Sequence, residues 1–172
     1  PGGVTNPLCY KVGTLPETMY EISDEPNAPS TFLVDIPVVI NGQIRAGDVD
    51  RIRFKALKGQ KLVINAEARE LIPYLADAVP GWFQMALTLF DSNGKEVAFA
   101  DHYLFHPDPM LFYEVPDNGE YELEIRDSIY RGREDFIYRV SIGEQPFITG
   151  IFPLGGKLGM PTFSRITGWN LT

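Results

Sequence analysis

One cysteine, Cys9, stands in the 172 residues, so no intramolecular disulfide can form and sulfur says nothing about the redox compartment. Histidine is nearly as scarce: His102 and His106 lie far from Cys9 in sequence and bring a thiol nucleophile no nearby base. There is no run of about 18 apolar residues, and no basic segment leading into a short apolar one, so neither a membrane span nor a signal peptide is present. No Gly-x-Ser-x-Gly, His-Glu-x-x-His, Gly-rich phosphate loop or Cys-x-x-Cys occurs, which removes the common enzyme templates. Positive charge is short: 15 Lys and Arg against 23 Asp and Glu leave a net charge of -8 and a pI near 4.7. Such a field repels phosphate backbones and anionic lipid, so nucleic acid and membrane surfaces are poor partners. The chain opens on Pro1 without Met and reads as an excised piece of something longer.

What is present is apolar material in short pieces. With 44% hydrophobic residues, 14 Pro, 16 Gly, 11 Phe and 8 Tyr, the composition favours many short strands separated by turns over a helical bundle. Ile52, Phe54 and Ala56 alternate with Arg51, Arg53 and Lys55, which puts the apolar set on one face and the bases in water. Lys58-Gly59-Gln60 turns the chain, and Leu62, Ile64, Ala66 and Ala68 repeat the period. The stretch from Glu70 to Trp82 is apolar without that period and bracketed by prolines, and reads as a loop with a short helical turn. Gln84 to Phe90 and Glu96 to Ala100 flank Asp91-Ser92-Asn93-Gly94 as a hairpin; Met110 to Val115 and the alternating Tyr121, Leu123, Ile125 flank Pro116 to Gly119 as a second. Phe136 to Ile142 closes the set. About eight strands with one apolar face each bury that face by packing two sheets, so the expected fold is all-β, an antiparallel β-sandwich, with jelly-roll connectivity left open by pattern alone.

The ends differ from the middle. Residues 1–24 hold one strand-like piece, Leu8 to Val12, and then a polar linker; residues 146–172 start a new pattern, Phe147 to Gly156 followed by Phe163 to Leu171.

Glu25-Pro26-Asn27, Gly42-Gln43-Ile44, Asp48-Val49-Asp50 followed by Ile52-Arg53-Phe54, Lys58 to Leu62, Leu87 to Asp91, Gly119-Glu120-Tyr121 and Tyr138 to Ile142 together resemble the bacterial pre-peptidase C-terminal domain over about residues 25 to 143. The loop at 70–83 is longer than that pattern. The resemblance implies a jelly-roll-like sandwich of 25–145, non-catalytic, carried beside the catalytic domain of an exported bacterial protein such as a subtilase-like protease, and an extracellular, cell-surface or periplasmic location. Residues 146–172 resemble the opening of an immunoglobulin-like IPT/TIG domain. Gly3 to Pro7 with the strand after it looks like the last strand of a similar preceding domain, within a linker at 1–24. The neighbouring domains of the parent chain are then partners, and the two ends are unpaired strands able to pair with each other or with another molecule.

Three residue clusters invite chemistry. Carboxylates and an amide oxygen from a linker and an Asp-rich turn supply the hard oxygens calcium needs. By resemblance to collagen-binding relatives, Glu25 and Asn27 match linker ligands and Asp50 a ligand in the turn, with Asp48 beside it; Ser23, Ala28 and Gly47 depart from the pattern. The competing reading is that Asp48 and Asp50 cap a turn by accepting backbone N–H bonds. Asp101, His102, His106 and Asp108 make a weaker zinc candidate, because His-x-x-x-His aligns its rings on a helix and Pro107 and Pro109 oppose one; the alternative is an ordinary polar loop. The aromatics near loop ends, Trp82, Phe83, Tyr103, Phe105, Tyr113 and Tyr130, suit a polysaccharide or a protein strand where exposed, with Trp82, Tyr103, Phe105 and Tyr130 the named candidates; where buried they cover the ends of the sandwich. Glu120, Glu122 and Glu124 read as a solvated strand face, and Arg126, Asp127, Arg131, Arg133, Glu134 and Asp135 as surface ion pairs.

Three functions compete: an accessory spacer or stabiliser, a binding module for polysaccharide or fibrous protein with a calcium-stabilised linker, and a small metal-dependent hydrolase using Asp101 to Asp108. The first is preferred, with no catalytic residue and no cofactor other than candidate calcium.

Overall fold

The computed structural model describes residues 3, 7–21, 32–72 and 82–171. Glu25, Asn27, Ser23 and Ala28, and the 73–81 part of the loop expected to hold a helical turn, lie outside the described residues. The described chain is all-β, with twelve strands and no helical residue.

Two five-stranded sheets share one core. The first runs β1 (Glu17–Met19), β3 (Val38–Gln43), β10 (Ile137–Gly143), β5 (Lys61–Glu67), β8 (Met110–Glu114). The second runs β2 (Phe32–Val34), β4 (Asp50–Ala56), β9 (Gly119–Asp127), β6 (Met85–Phe90), β7 (Glu96–Ala100). The remaining two strands, β11 (Phe147–Phe152) and β12 (Arg165–Trp169), pair only with each other. Alternation fixes which side chains enter the core: Ile52 and Phe54 from β4, Leu123 and Ile125 from β9, Leu62 and Ile64 from β5, Val140 and Ile142 from β10, all fully buried. Each large aliphatic chain removed from water this way is worth roughly 1.5–3 kcal/mol, which is what holds the sheets together.

The expected all-β sandwich is present, its strands antiparallel except that β1 runs parallel to β3 and β2 parallel to β4. Two expectations need correction. Residues 17–19, expected in a linker, are a strand of the first sheet, whereas Leu8 to Val12 forms none and exposes Leu8, Tyr10 and Val12. The chain also turns between sheets at one of the two expected hairpins. β8 pairs with β5, and β9 pairs with β4 and β6, so Pro116 to Asn118 carries the chain from one sheet to the other. The alternating pattern sets which face is apolar, and both arrangements bury the same face. The Asp91 hairpin does form, with its carboxylate accepting from the Asn93 and Lys95 N–H groups at 2.8 and 3.0 Å.

Outside the second sheet the bases of β4 meet the glutamates of β9. Arg51 bonds Glu122 and Glu124 at 3.0 and 2.8 Å, and Arg53 bonds Glu122 at 2.7 Å. Glu120 is exposed, but Glu122 and Glu124 are largely covered by the arginines that stand across from them, a cross-strand ladder.

The register also sorts the connections. Asp50 stands opposite Ile125, Met85 opposite Asp127, Glu67 opposite Arg139 and Asn65 opposite Met110. Residues 44–49, 68–72, 82–84, 101–109 and 128–136 therefore all lie at one end of the sandwich, while the short turns at 57–60, 91–95 and 115–118 close the other.

Candidate functional site

Loops carried by a rigid scaffold are where binding groups collect, and the long-loop end gathers most residues singled out from sequence. At its floor is a hydrogen bond between the sheets. The Tyr138 ring of β10 lies over Gly42 of β3, where a Cβ would sit 2.2 Å from the ring, so the ring can lie flat only because that residue is glycine. Its hydroxyl reaches across and donates to Asp50 Oδ2 at 2.6 Å. Asp50 is 1% exposed. Burial raises its pKa from 3.8 to about 6, helped by the charge of Asp48, and the Tyr138 hydroxyl opposes the rise. Burial and the facing carboxylate push the Tyr138 phenol well above its ordinary range.

Asp50 is therefore occupied at its inner oxygen by a phenol, and it neither faces open solvent nor caps a turn. Asp48 does cap one: its N–H donates to the Arg45 carbonyl at 3.0 Å and its carboxylate accepts from the Arg45 N–H at 3.3 Å. No group of three or more metal-binding side chains occurs among the described residues.

The Asp101 to Asp108 loop is spread out. His102 Nδ1 lies 2.6 Å from Asp101 Oδ1, on the surface. Asp108 turns the other way and accepts from the Ala68, Arg69 and Glu70 N–H groups, each at 2.9 Å, tying two loops together. Tyr103 and His106 exchange backbone bonds, which throws Leu104 and Phe105 out to the tip, with Phe105 completely exposed.

The aromatic candidates separate by burial. Trp82 does not present the exposed platform expected of it. It is 3% exposed and packs edge-on against Phe136 at 5.2 Å, because residues 82–83 enter the core just before β6. Phe83 stacks on the same ring at 5.0 Å. Tyr103 is half-buried in a ring cluster, 5.8 Å from Phe112 and 5.7 Å from Phe147. Phe112 also stacks on Trp169 at 5.3 Å, so this cluster seats the β11–β12 hairpin on the sandwich. Asn170 adds side-chain bonds to the Lys61 and Gln145 carbonyls at 2.8 and 3.1 Å. Tyr130 remains open, 53% exposed, with the Arg126 guanidinium 5.0 Å from its ring centre.

Sequence reasoning missed the buried ion pair here. Asp127, expected on the surface, is fully buried. Its carboxylate takes a two-pronged contact from Arg131 at 2.9 and 3.0 Å and accepts the Gln84, Ile129 and Arg131 N–H groups. Burial alone would raise its pKa, but the Arg131 fork and the backbone donors outweigh it and hold the group below its ordinary value. The alternation was the available signal: Asp127 continues the inward series Tyr121, Leu123, Ile125.

An open groove of about 620 Å³ runs between the 44–48 turn and the 128–136 loop, lined by Gln43, Arg45, Ala46, Gly132, Arg133 and Glu134.

Among solved structures, the chain is similar to the pre-peptidase C-terminal domain of a collagenase from Bacillus anthracis, at 13% identity and a TM-score of 0.48, over 70% of this chain and 99% of that one. It is also similar to a mutant of PliG from Escherichia coli, a periplasmic inhibitor of g-type lysozyme, at 19% identity and a TM-score of 0.44, over 66% and 96%. PliG from Salmonella Typhimurium, an inhibitor of the same kind, matches at 19% identity and a TM-score of 0.39, over 76% and 98%. The module type read from the motifs is that of the first of these structures. No protein-family model and no curated protein matches the chain.

Proposed function

We propose that the chain is a non-catalytic accessory module of an exported bacterial multidomain protein, whose parent is a subtilase-like peptidase. The sandwich acts as spacer and stabiliser, with its long-loop end as a binding adjunct for extracellular polysaccharide or protein, and β11–β12 opens an immunoglobulin-like neighbour. The observation that carries this reading is the joint between sandwich and hairpin. Phe112 of β8 receives Phe147 and Trp169 from the two hairpin strands, at 5.4 and 5.3 Å, so the hairpin is seated by rings and not merely tethered. Meanwhile Ile148, Ile151, Phe152 and Ile166 are exposed on it. A two-stranded ribbon with an uncovered apolar face is marginal alone and suits the first piece of a further packed unit.

The test is the environment of Trp169, read in a Trp82→Phe background. A seated ring gives blue-shifted emission and protection from acrylamide, and Phe112→Ala removes both while the melting of the sandwich persists. A freely quenched Trp169 in the parent protein overturns the seated joint. Turnover of protein or polysaccharide substrates by the purified chain overturns the non-catalytic assignment.

A further inference from the structure

We propose that the groove between the 44–48 turn and the 128–136 loop docks a polypeptide segment that presents an isolated carboxylate beside an apolar side chain. The proposal rests on the binding-adjunct reading above and gives that adjunct a location and a partner chemistry.

The groove is built before any ligand arrives. The Ile44 N–H donates to the Phe136 carbonyl at 2.8 Å, the Arg133 N–H to the Ile44 carbonyl at 3.2 Å, and the Gly47 N–H to the Tyr130 carbonyl at 3.1 Å. The two loops touch backbone to backbone, for a Cβ on Gly132 would fall 1.9 Å from the Arg45 carbonyl carbon. Arg133 is fixed as well: it forks onto Asp135 with two bonds of 2.9 Å, and its guanidinium lies 5.0 Å from the Trp82 ring centre and 5.2 Å from that of Phe136. Walls held this way cost a ligand little ordering.

Arg45 is different. It lies exposed in the groove, and among the described residues no carboxylate pairs with its guanidinium, although the chain carries an excess of acids. A guanidinium presents a planar fork of donors matched to a carboxylate. Beyond the groove's own lining, on the loop whose Tyr130 carbonyl accepts from the Gly47 N–H, Ile129 and Tyr130 are 68% and 53% exposed, the Tyr130 ring lying 5.0 Å from the Arg126 guanidinium. A charged fork beside an aliphatic and an aromatic side chain fits one acidic residue next to an apolar one.

The surrounding charge decides between polymers. A polyuronate carries a charge on every sugar and would meet Glu134 in the groove, Asp135 beside it and the net charge of -8. A single carboxylate meets that repulsion once instead of at every unit, and pairs with Arg45 across from Glu134.

The experiment is a titration of the isotope-labelled full chain, followed by backbone amide shifts, with acetylated and amidated pentapeptides centred on Leu-Glu-Leu and on Leu-Gln-Leu, and with polygalacturonate. The Glu peptide should give saturable shifts confined to the 43–47 and 129–134 amides. The Gln peptide should bind about tenfold more weakly, the loss expected for one charge-assisted contact. Arg45→Gln should weaken the Glu peptide to the same level with unchanged melting. Equal binding of the two peptides, shifts centred elsewhere, no saturable shift, or shifts with polygalacturonate alone would each overturn the proposal. The comparison of the two peptides needs no variant, so a folding defect cannot mask the answer. Protection of Trp169, read separately in the Trp82→Phe background, separates failure of this site from failure of the module reading.

Discussion

Replacing Asp50 with Asn should change how stability depends on pH more than it changes stability itself. In the folded chain burial pushes the Asp50 carboxyl up to about 6, from an ordinary value of 3.8. A carboxyl whose pKa is raised on folding favours the folded state when protonated. That contribution is complete below the unfolded value and is lost as pH rises through about 6. A rise of this size corresponds to about 3 kcal/mol, so ionised Asp50 burdens the sandwich by up to that amount in mildly basic solution. Asn keeps an acceptor for the Tyr138 hydroxyl and cannot ionise, but it brings a buried amide needing a partner, a cost of about 1–3 kcal/mol that does not vary with pH. The variant should thus be weaker than the parent near pH 4 and gain on it as pH rises, by up to about 3 kcal/mol near pH 8. Urea melts of both proteins at several pH values measure the difference. Subtracting the parent cancels Glu17, Asp91 and Asp127, whose lowered pKa values act in the opposite sense, contributing stability that is lost on acidification. A difference that stays flat between about pH 4 and 8 would refute the reasoning, since it would mean that Asp50 titrates alike in both states.

Arg131→Met should cost about 3–5 kcal/mol by leaving the Asp127 carboxylate buried without its counter-ion, whereas adding Asp127→Asn should recover part of the loss; denaturant midpoints of the single and double variants check both. Gly42→Ala should destabilise by about 1–3 kcal/mol, because the new methyl collides with the Tyr138 ring, and the damage should shrink when Tyr138→Leu is combined with it. Calcium should leave the melting temperature of the full chain unchanged, since Asp50 is taken by Tyr138 and Asp48 by its own turn. A rise on adding calcium that Asp50→Asn abolishes would show that Asp50 leaves its phenol for the metal.

Faces were legible in the sequence where partners were not. Period-two alternation in residues 50–56, 61–67 and 119–127 marked the core side of β4, β5 and β9 correctly, because burial acts on each strand separately. The same pattern is silent on which strand lies alongside, so Pro116 to Gly119 reads as a hairpin although it carries the chain from β8 in one sheet to β9 in the other. The three-residue strands β1 and β2 offered no period at all, and they exist because β3 and β4 offer them backbone partners. At the loop end, type and spacing located acids and rings but not their depth. Asp50 and Asp127 continue inward series and are buried for that reason. Trp82 is buried because the chain enters the core at that point, ahead of β6, and Phe105 is exposed because a two-bond bridge beneath it closes the loop.

The short parallel strands bear on where this unit begins. β1 lies outermost beside β3 in one sheet, and β2 outermost beside β4 in the other. A fragment begun at residue 25, where the family-like pattern starts, would discard β1 and leave the whole of β3 with a bare row of N–H and C=O groups. Such a rim is a template for strands of other molecules, and the trimmed protein would self-associate through it. The Lys11 contacts to Glu67 and Glu70, at 2.5 and 3.0 Å, would be lost with the same cut. The arm ahead of residue 25 thus works as a selvedge, a narrow finished border that keeps the fabric from joining to its neighbours.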